Sequence, residues 1–229
     1  MPGARLSHTH PHQTRLPLPP TTGIQADCIN LIANLFLHIE ENMQFLKLDP
    51  TIPFLQKQDS IPDTVREAAL LAPYNKPSYR SERRLSVWLF AAPDMSAGAA
   101  PKFTPAWRNQ HLEDFITSRG YDIAQLGLTH YSAGGGIMPH RDTTFAKPGM
   151  ALGVTLFGDA TFFMWSNALK QKPTSNNASL IVTLQDGDVY EFHNKYIHAG
   201  WSHNQRRITL NAWKLRDDWK TAFRLAVRT

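Results

Sequence analysis

The segment Gly134-Gly135-Gly136-Ile137-Met138-Pro139-His140-Arg141-Asp142 sets an imidazole and a carboxylate two residues apart. A second imidazole, His198, follows in Tyr196-Ile197-His198-Ala199-Gly200, and Arg207-Ile208-Thr209 begins nine residues beyond it. Two imidazoles and one carboxylate on one face of a divalent metal leave the opposite face open, a donor set suited to Fe(II) that must meet dioxygen. A guanidinium offers a planar fork that a carboxylate fills with two parallel hydrogen bonds. Arg207 is therefore the anchor expected for a dicarboxylate co-substrate. The residues read as an oxygen-activating iron site.

The His-x-Asp pair is weak by itself, because 10 His and 13 Asp make chance pairs common. Its surroundings add the specificity. Residues 126–131 read as a short strand ahead of the glycine-rich turn. Residues 151–157 and 160–165 are apolar and β-branched, broken by Gly158-Asp159. Residues 179–184 form another strand, Gln185-Asp186-Gly187-Asp188 turns the chain into 189–192, and 208–213 closes the series. Short strands with turn signals at close spacing predict a sandwich or barrel rather than a βαβ sheet. The candidate ligands fall at strand ends, where a barrel mouth would gather them.

This order resembles the Fe(II)- and 2-oxoglutarate-dependent dioxygenases over residues 125–216. The resemblance is carried by Tyr131 nine residues before His140, by His140-Arg141-Asp142, by Gly158-Asp159-Ala160-Thr161-Phe162-Phe163, by Gly187-Asp188, by His198 and by Arg207-x-Thr209. It implies a mainly β fold with flanking helices (α+β), its core a double-stranded β-helix, or jelly roll. It also implies that His140, Asp142 and His198 hold Fe(II), and that Arg207 anchors 2-oxoglutarate with help from Thr209 and Tyr131. Dioxygen is then the second co-substrate, and a substrate C–H bond is hydroxylated as 2-oxoglutarate becomes succinate and CO2. The wording around Tyr131 and Gly158 is most similar to the AlkB-type branch, which oxidises alkylated nucleobases. That branch usually carries a second arginine six residues after the anchoring one, where this chain has Trp213. The Arg-x-Thr form and the short spacing from His198 are more similar to small-molecule and peptide hydroxylases.

Several residues compete for these roles. His193 is a rival ligand, but it comes only five residues after Asp188, too soon for the chain to return to a metal. Arg206 competes with Arg207. Strand alternation turns neighbours to opposite faces, and Thr209 and Asn211 share the face of Arg207. Tyr131 reads equally as a core tyrosine, with Thr129 on its face. In an extended segment Arg141 points away from its ligand neighbours. The run Phe162-Phe163-Met164-Trp165 reads as core.

At 229 residues the chain is long enough for a substantial core. Residues 1–22, with Pro2, Pro11, Pro17, Pro19 and Pro20 among alternating histidines, read as a flexible tail. Residues 23–229 read as a single dioxygenase domain: 23–124 a helical brace and substrate lid, 125–216 the β-helix core, and 217–229 a terminal helix. Apolar residues from Ile24 to Met43 follow helical spacing, which predicts a helix over 24–45. Further helices are expected over 62–71, 107–118 (ended by Gly120) and 217–227, and a strand over 86–90. The lone Cys28 excludes an intramolecular disulfide and suits a reducing interior. No apolar run reaches membrane-spanning length, and the N-terminus lacks the apolar stretch of a secretory signal. The expectation is a soluble cytoplasmic protein that does not engage a membrane.

The lid region holds Tyr74, Lys76, Pro77, Tyr79, Arg80, Arg83, Arg84 and Trp88. Such cations among aromatics could hold phosphates and stack a flipped base, or form a solvated basic loop. The loop 168–177 is expected to border the site mouth. A net charge of +5 and a pI near 9.4 suit nucleic acid without requiring it. Three readings follow: a hydroxylase of a metabolite, amino acid or peptide; an AlkB-type enzyme acting on DNA or RNA; and a binding protein without catalysis on the same fold.

Overall fold

β-Branched and aromatic runs punctuated by glycine and aspartate turns build the fold. The computed structural model describes it over residues 45–57, 59–77, 81–96, 100–129, 135–203 and 206–228. The first strands are β1 (Phe45–Lys47), β2 (Phe54–Lys57), β3 (Lys76–Pro77), β4 (Ser81–Glu82), β5 (Arg84–Leu89), β6 (Ala91–Pro93) and β7 (Phe103–Pro105). They are followed by β8 (Ile123–Thr129), β9 (Gly136–His140), β10 (Met150–Phe157), β11 (Ala160–Trp165), β12 (Leu180–Leu184), β13 (Val189–His193), β14 (Ile197–Ser202) and β15 (Arg207–Trp213). The helices are α1 (Asp63–Leu70), α2 (Gln110–Thr117) and α3 (Asp217–Ala226).

Two antiparallel sheets face each other. One runs β1-β12-β11-β14-β9-β4, the other β2-β13-β10-β15-β8-β5-β3, and β6 pairs with β7 apart from both. From β8 onward the chain passes between the two large sheets, which makes the core a double-stranded β-helix. Residues 45–89, expected as brace and lid, also lend strands to both sheets. Gly158 (φ +72) and Gly187 (φ +93) make the two turns marked in the sequence, each in the left-handed region that glycine occupies without strain.

Alternation along β15 shows how the layers arise. Ile208, Leu210 and Ala212 point outward into a core shared with Val65, Ala68 and Ala69 of α1 and Leu112, Phe115 and Ile116 of α2. Burying each such large apolar side chain contributes roughly 1.5–3 kcal/mol. α2 is fixed at its start by Asn109, whose Oδ1 accepts from Leu112 N at 3.2 Å, and is followed by Gly120 at φ +78. Arg207, Thr209, Asn211 and Trp213 point the other way, toward the space between the sheets. There Phe162, Met164, Leu180, Val182, Tyr190 and Phe192 fill the second core. The run Phe162-Phe163-Met164-Trp165 is buried throughout, as expected.

Within residues 125–216, two strands were not anticipated. The glycine-rich stretch is a turn in the sequence reading, yet residues 136–140 form β9 between β14 and β4. Glycine and Pro139 disfavour a strand there, and the pairing to β14 overrides them. Residues 197–202 likewise form β14 despite Gly200. The tail 1–22, the helix of 24–45 up to residue 44, and Tyr131 lie outside the described residues. Phe45, the last residue of that expected helix, opens β1 instead.

Candidate active site

β9 and β14 are neighbours, and their register makes His140 and His198 direct Cα partners. The two rings lie 4.3 Å apart between centroids. Asp142 follows β9 in a loop whose backbone is held from the side: its N–H donates to Asn194 O at 3.2 Å. Asn194 is itself buried and ties that loop twice more, donating from Nδ2 to Lys147 O at 2.8 Å and accepting from Gly149 N at 3.1 Å. Asp142 is thereby brought to both imidazoles. Its Oδ1 lies 3.3 Å from His140 Nε2 and its Oδ2 lies 3.3 Å from His198 Nε2.

The tautomers follow from the partners. His140 Nδ1 faces Met138 O at 2.8 Å, and His198 Nδ1 faces Tyr196 O at 3.0 Å. A carbonyl cannot donate, so each Nδ1 carries the hydrogen and each Nε2 presents its lone pair inward. Burial raises the Asp142 carboxyl, whereas His198 and His140, when protonated, hold it well below the usual carboxylate range. One ionised oxygen donor and two aimed nitrogens, all within 4.8 Å of one another, fit a divalent metal. Among the described residues this is the one such cluster. His193 stands outside it, against Tyr196, and its Nδ1 accepts from Lys195 N at 3.4 Å.

Trp213 completes the support of Asp142. Its Nε1 donates to Asp142 Oδ2 at 2.9 Å, so the position where the AlkB-type branch usually has an arginine holds an indole that orients the carboxylate. Trp213 also meets Phe145 and Trp88 edge-on and tilted, at 5.4 and 5.8 Å between centroids. Together they form an aromatic wall beside the three donors.

Next to the donors opens a cavity of about 930 Å³, lined on one side by the inward residues of β5, β8 and β15. Arg207 is only 6 % exposed, whereas Arg206 is exposed, so the phase read from Thr209 and Asn211 holds. Burial lowers the Arg207 pKa. Its guanidinium makes a hydrogen bond to the Tyr190 phenol, which burial raises. Tyr190 in turn lies over Gly153, where a Cβ would collide with its ring. Arg207 Nε is buried with no hydrogen-bond partner among the described residues. An orphaned buried donor is costly unless a ligand meets it, and a carboxylate would do so. Thr209 and Thr129 line the same cavity, both buried.

Three further cations stand around the cavity: Lys76 on β3, Arg141, and Lys172 in the loop expected at the mouth, all exposed. Arg141 points away from the donors and donates through Nε to Lys195 O at 2.9 Å. Arg84 differs from the rest of the basic stretch around it. It is 7 % exposed and lines the cavity, whereas Arg83 is exposed. Burial, then the charge of Arg207, lowers its pKa to about 10. A run of Lys and Arg gave no signal that this one turns inward. That signal lies in Gly127, where a Cβ would collide with the Arg84 guanidinium.

No protein-family description matches the chain, and no curated protein matches its sequence. Its structure is similar to that of OsALKBH1, with a TM-score of 0.51 and 15 % identity over 74 % of this chain and 99 % of that chain. It was also matched to a prolyl-4-hydroxylase from Pseudomonas putida, with a TM-score of 0.45 and 13 % identity over 72 % of this chain and 94 % of the other. At such identities the likeness is one of fold, and that fold is mainly antiparallel β with a double-stranded β-helix core. Among the described residues, no helix is long and apolar enough to cross a membrane.

Proposed function

We propose that the protein is an Fe(II)- and 2-oxoglutarate-dependent dioxygenase that hydroxylates a C–H bond of a metabolite, amino acid or peptide. The observation that carries this reading is the convergence of His140, Asp142 and His198 beside a buried Arg207 whose Nε awaits an acceptor. When bound, Fe(II) with 2-oxoglutarate and dioxygen supplies the oxidising chemistry and releases succinate and CO2. The chain's own residues do the rest. His140 and His198 offer Nε2 lone pairs fixed by their Nδ1 hydrogen bonds, and Asp142 offers a carboxylate steered by Trp213. Arg207 receives the distal carboxylate of 2-oxoglutarate, with the Thr209 hydroxyl and the Tyr131 phenol as further donors. The aromatic wall of Trp88, Phe145 and Trp213 keeps water from that side and meets the apolar part of the substrate.

The test is succinate release from 2-oxoglutarate by iron-loaded protein, with Asp142→Ala as the control. Turnover that depends on Fe(II) and vanishes in the variant supports the reading, and turnover retained by the variant refutes the ligand set. A second reading, an AlkB-type enzyme acting on DNA or RNA, is favoured by the exposed Lys76, Arg141 and Lys172 around the opening. Oligonucleotide binding that weakens steeply with salt would support it, because phosphate contacts release counterions.

A further inference from the structure

We infer that the Tyr190 phenol joins Arg207 in gripping the distal carboxylate of the co-substrate. This inference rests on the oxygenase reading above and adds to it a binding residue that no sequence motif marks.

Tyr190 reaches Arg207 from a strand that does not neighbour β15. β10 lies between β13 and β15, and Gly153 on β10 pairs with Tyr190 on one side and Asn211 on the other. A Cβ added to Gly153 would collide with Tyr190 Cζ, Cε2 and Oη. The missing side chain thus lets the tyrosine lie across β10 toward β15. Phe162, Phe54 and Phe192 surround its ring at 5.4, 5.6 and 6.1 Å between centroids, which fixes the direction in which the hydroxyl points. Tyr190 is 2 % exposed and lines the cavity. Phenylalanine would fill such an apolar position as well, so the buried hydroxyl calls for polar partners.

Arginine carries donors and no acceptor. In its hydrogen bond with Arg207 the phenol oxygen therefore accepts, and its own hydrogen is left to give. Arg207 is the phenol's one hydrogen-bond partner among the described residues. Burial raises the phenol's pKa, so it keeps the hydrogen it is to donate. Arg207 Nε is likewise without an acceptor among the described residues. Two unspent donors on adjoining side chains ask for two acceptor oxygens close together, and a carboxylate presents that pair. The placement agrees. A Cβ added to Gly200 would stand 3.6 Å from Arg207 Nη1. Gly200 lies two residues along β14 from His198, a step of about 7 Å. A 2-oxo acid seated at the three donors must extend away from them to reach Arg207 and Tyr190. The contact therefore falls on its far carboxylate and not on its keto end.

The experiment uses the full chain under anaerobic conditions with Fe(II) and two 2-oxo acids of one length: 2-oxoglutarate, and 2-oxopentanoate, which has a methyl group in place of the distal carboxylate. Binding is read by the visible band of the iron chelate. Tyr190→Phe keeps the ring and its packing and removes only the hydroxyl. It should raise the half-saturating 2-oxoglutarate concentration about tenfold or more, the usual worth of a hydrogen bond to a charged group. Its requirement for 2-oxopentanoate should stay within about twofold of the native value. Fe(II) affinity and the thermal midpoint should stay at native values, which separates a lost contact from a loosened core. An unchanged 2-oxoglutarate requirement overturns the inference, and so does a loss shared by 2-oxopentanoate or by Fe(II) binding. A tenfold loss in Tyr131→Phe with none in Tyr190→Phe would give the role to Tyr131 instead. If the native chain forms no chelate band at all, the oxygenase reading itself fails, and this inference with it.

Discussion

Trp213 Nε1 donates a 2.9 Å hydrogen bond to Asp142 Oδ2 across 71 residues of sequence. The indole thereby fixes the one carboxylate of the donor cluster from behind, while Asn194 fixes its backbone. Trp213→Phe keeps the ring and removes the donor. Groups that orient a metal ligand typically change metal affinity by about 10- to 100-fold when removed. The variant should therefore fold, with a thermal midpoint near that of the native chain, and require 10- to 100-fold more Fe(II) for half-saturation. Unchanged Fe(II) binding would reduce the indole to a packing element.

The two adjacent arginines separate cleanly. Arg207→Lys keeps the charge but loses the planar fork, and should raise the 2-oxoglutarate concentration for half-maximal turnover by about 10- to 100-fold. Arg206→Lys should leave it within about twofold, because that side chain is exposed on the other face. A steady-state titration of 2-oxoglutarate compares them, and the reverse ranking would move the anchor to Arg206.

His193→Ala tests the discarded ligand. Its ring packs on Tyr196 outside the donor cluster, so Fe(II) affinity should change by less than about twofold. A loss comparable to that of His198→Ala, read by metal titration, would place His193 at the metal.

An acid-sensitive element joins the edge strand β2 to its neighbour β13, away from the site. Tyr121 Oη and Lys57 Nζ donate to Glu191 Oε1 at 2.6 and 2.8 Å. Burial would raise the Glu191 carboxyl, but Lys57 and Tyr121 hold it below its ordinary 4.5. A depressed folded-state pKa contributes stability above the ordinary value, and that stability is lost as pH falls through the folded value. Glu191→Gln should thus lower the midpoint of thermal unfolding at pH 7, with the deficit shrinking below about pH 4. A deficit constant between pH 7 and pH 3 would remove Glu191 as its source.

Much of this was legible in the chain. The strands β10 to β13 and β15 carry long apolar alternation and clear turns, so tertiary context had little to override. The donor cluster could be read because His140, Asp142 and His198 stand among short strands and glycine turns that give an otherwise common pair of residue types its context. β9 and β14 were hidden because their glycines and Pro139 speak against strands, and their pairing is set by neighbours distant in sequence. Arg84 was hidden for a related reason. Its inward turn depends on Gly127, forty-three residues later, and no local pattern distinguishes it from exposed Arg83. The hydrogen bond of Trp213 to Asp142 is likewise a product of register, not of composition.

The central claim is that His140, Asp142, His198 and Arg207 together hold an iron chelate of 2-oxoglutarate. Anaerobic titration of the metal-free protein with Fe(II) and then 2-oxoglutarate tests it most directly, through the weak visible charge-transfer band of the chelate. The band should form at one equivalent of iron, vanish in Asp142→Ala and His198→Ala, and need far more 2-oxoglutarate in Arg207→Lys. Folded protein that binds Fe(II) but forms no band, or a band unaffected by these substitutions, would contradict the assignment.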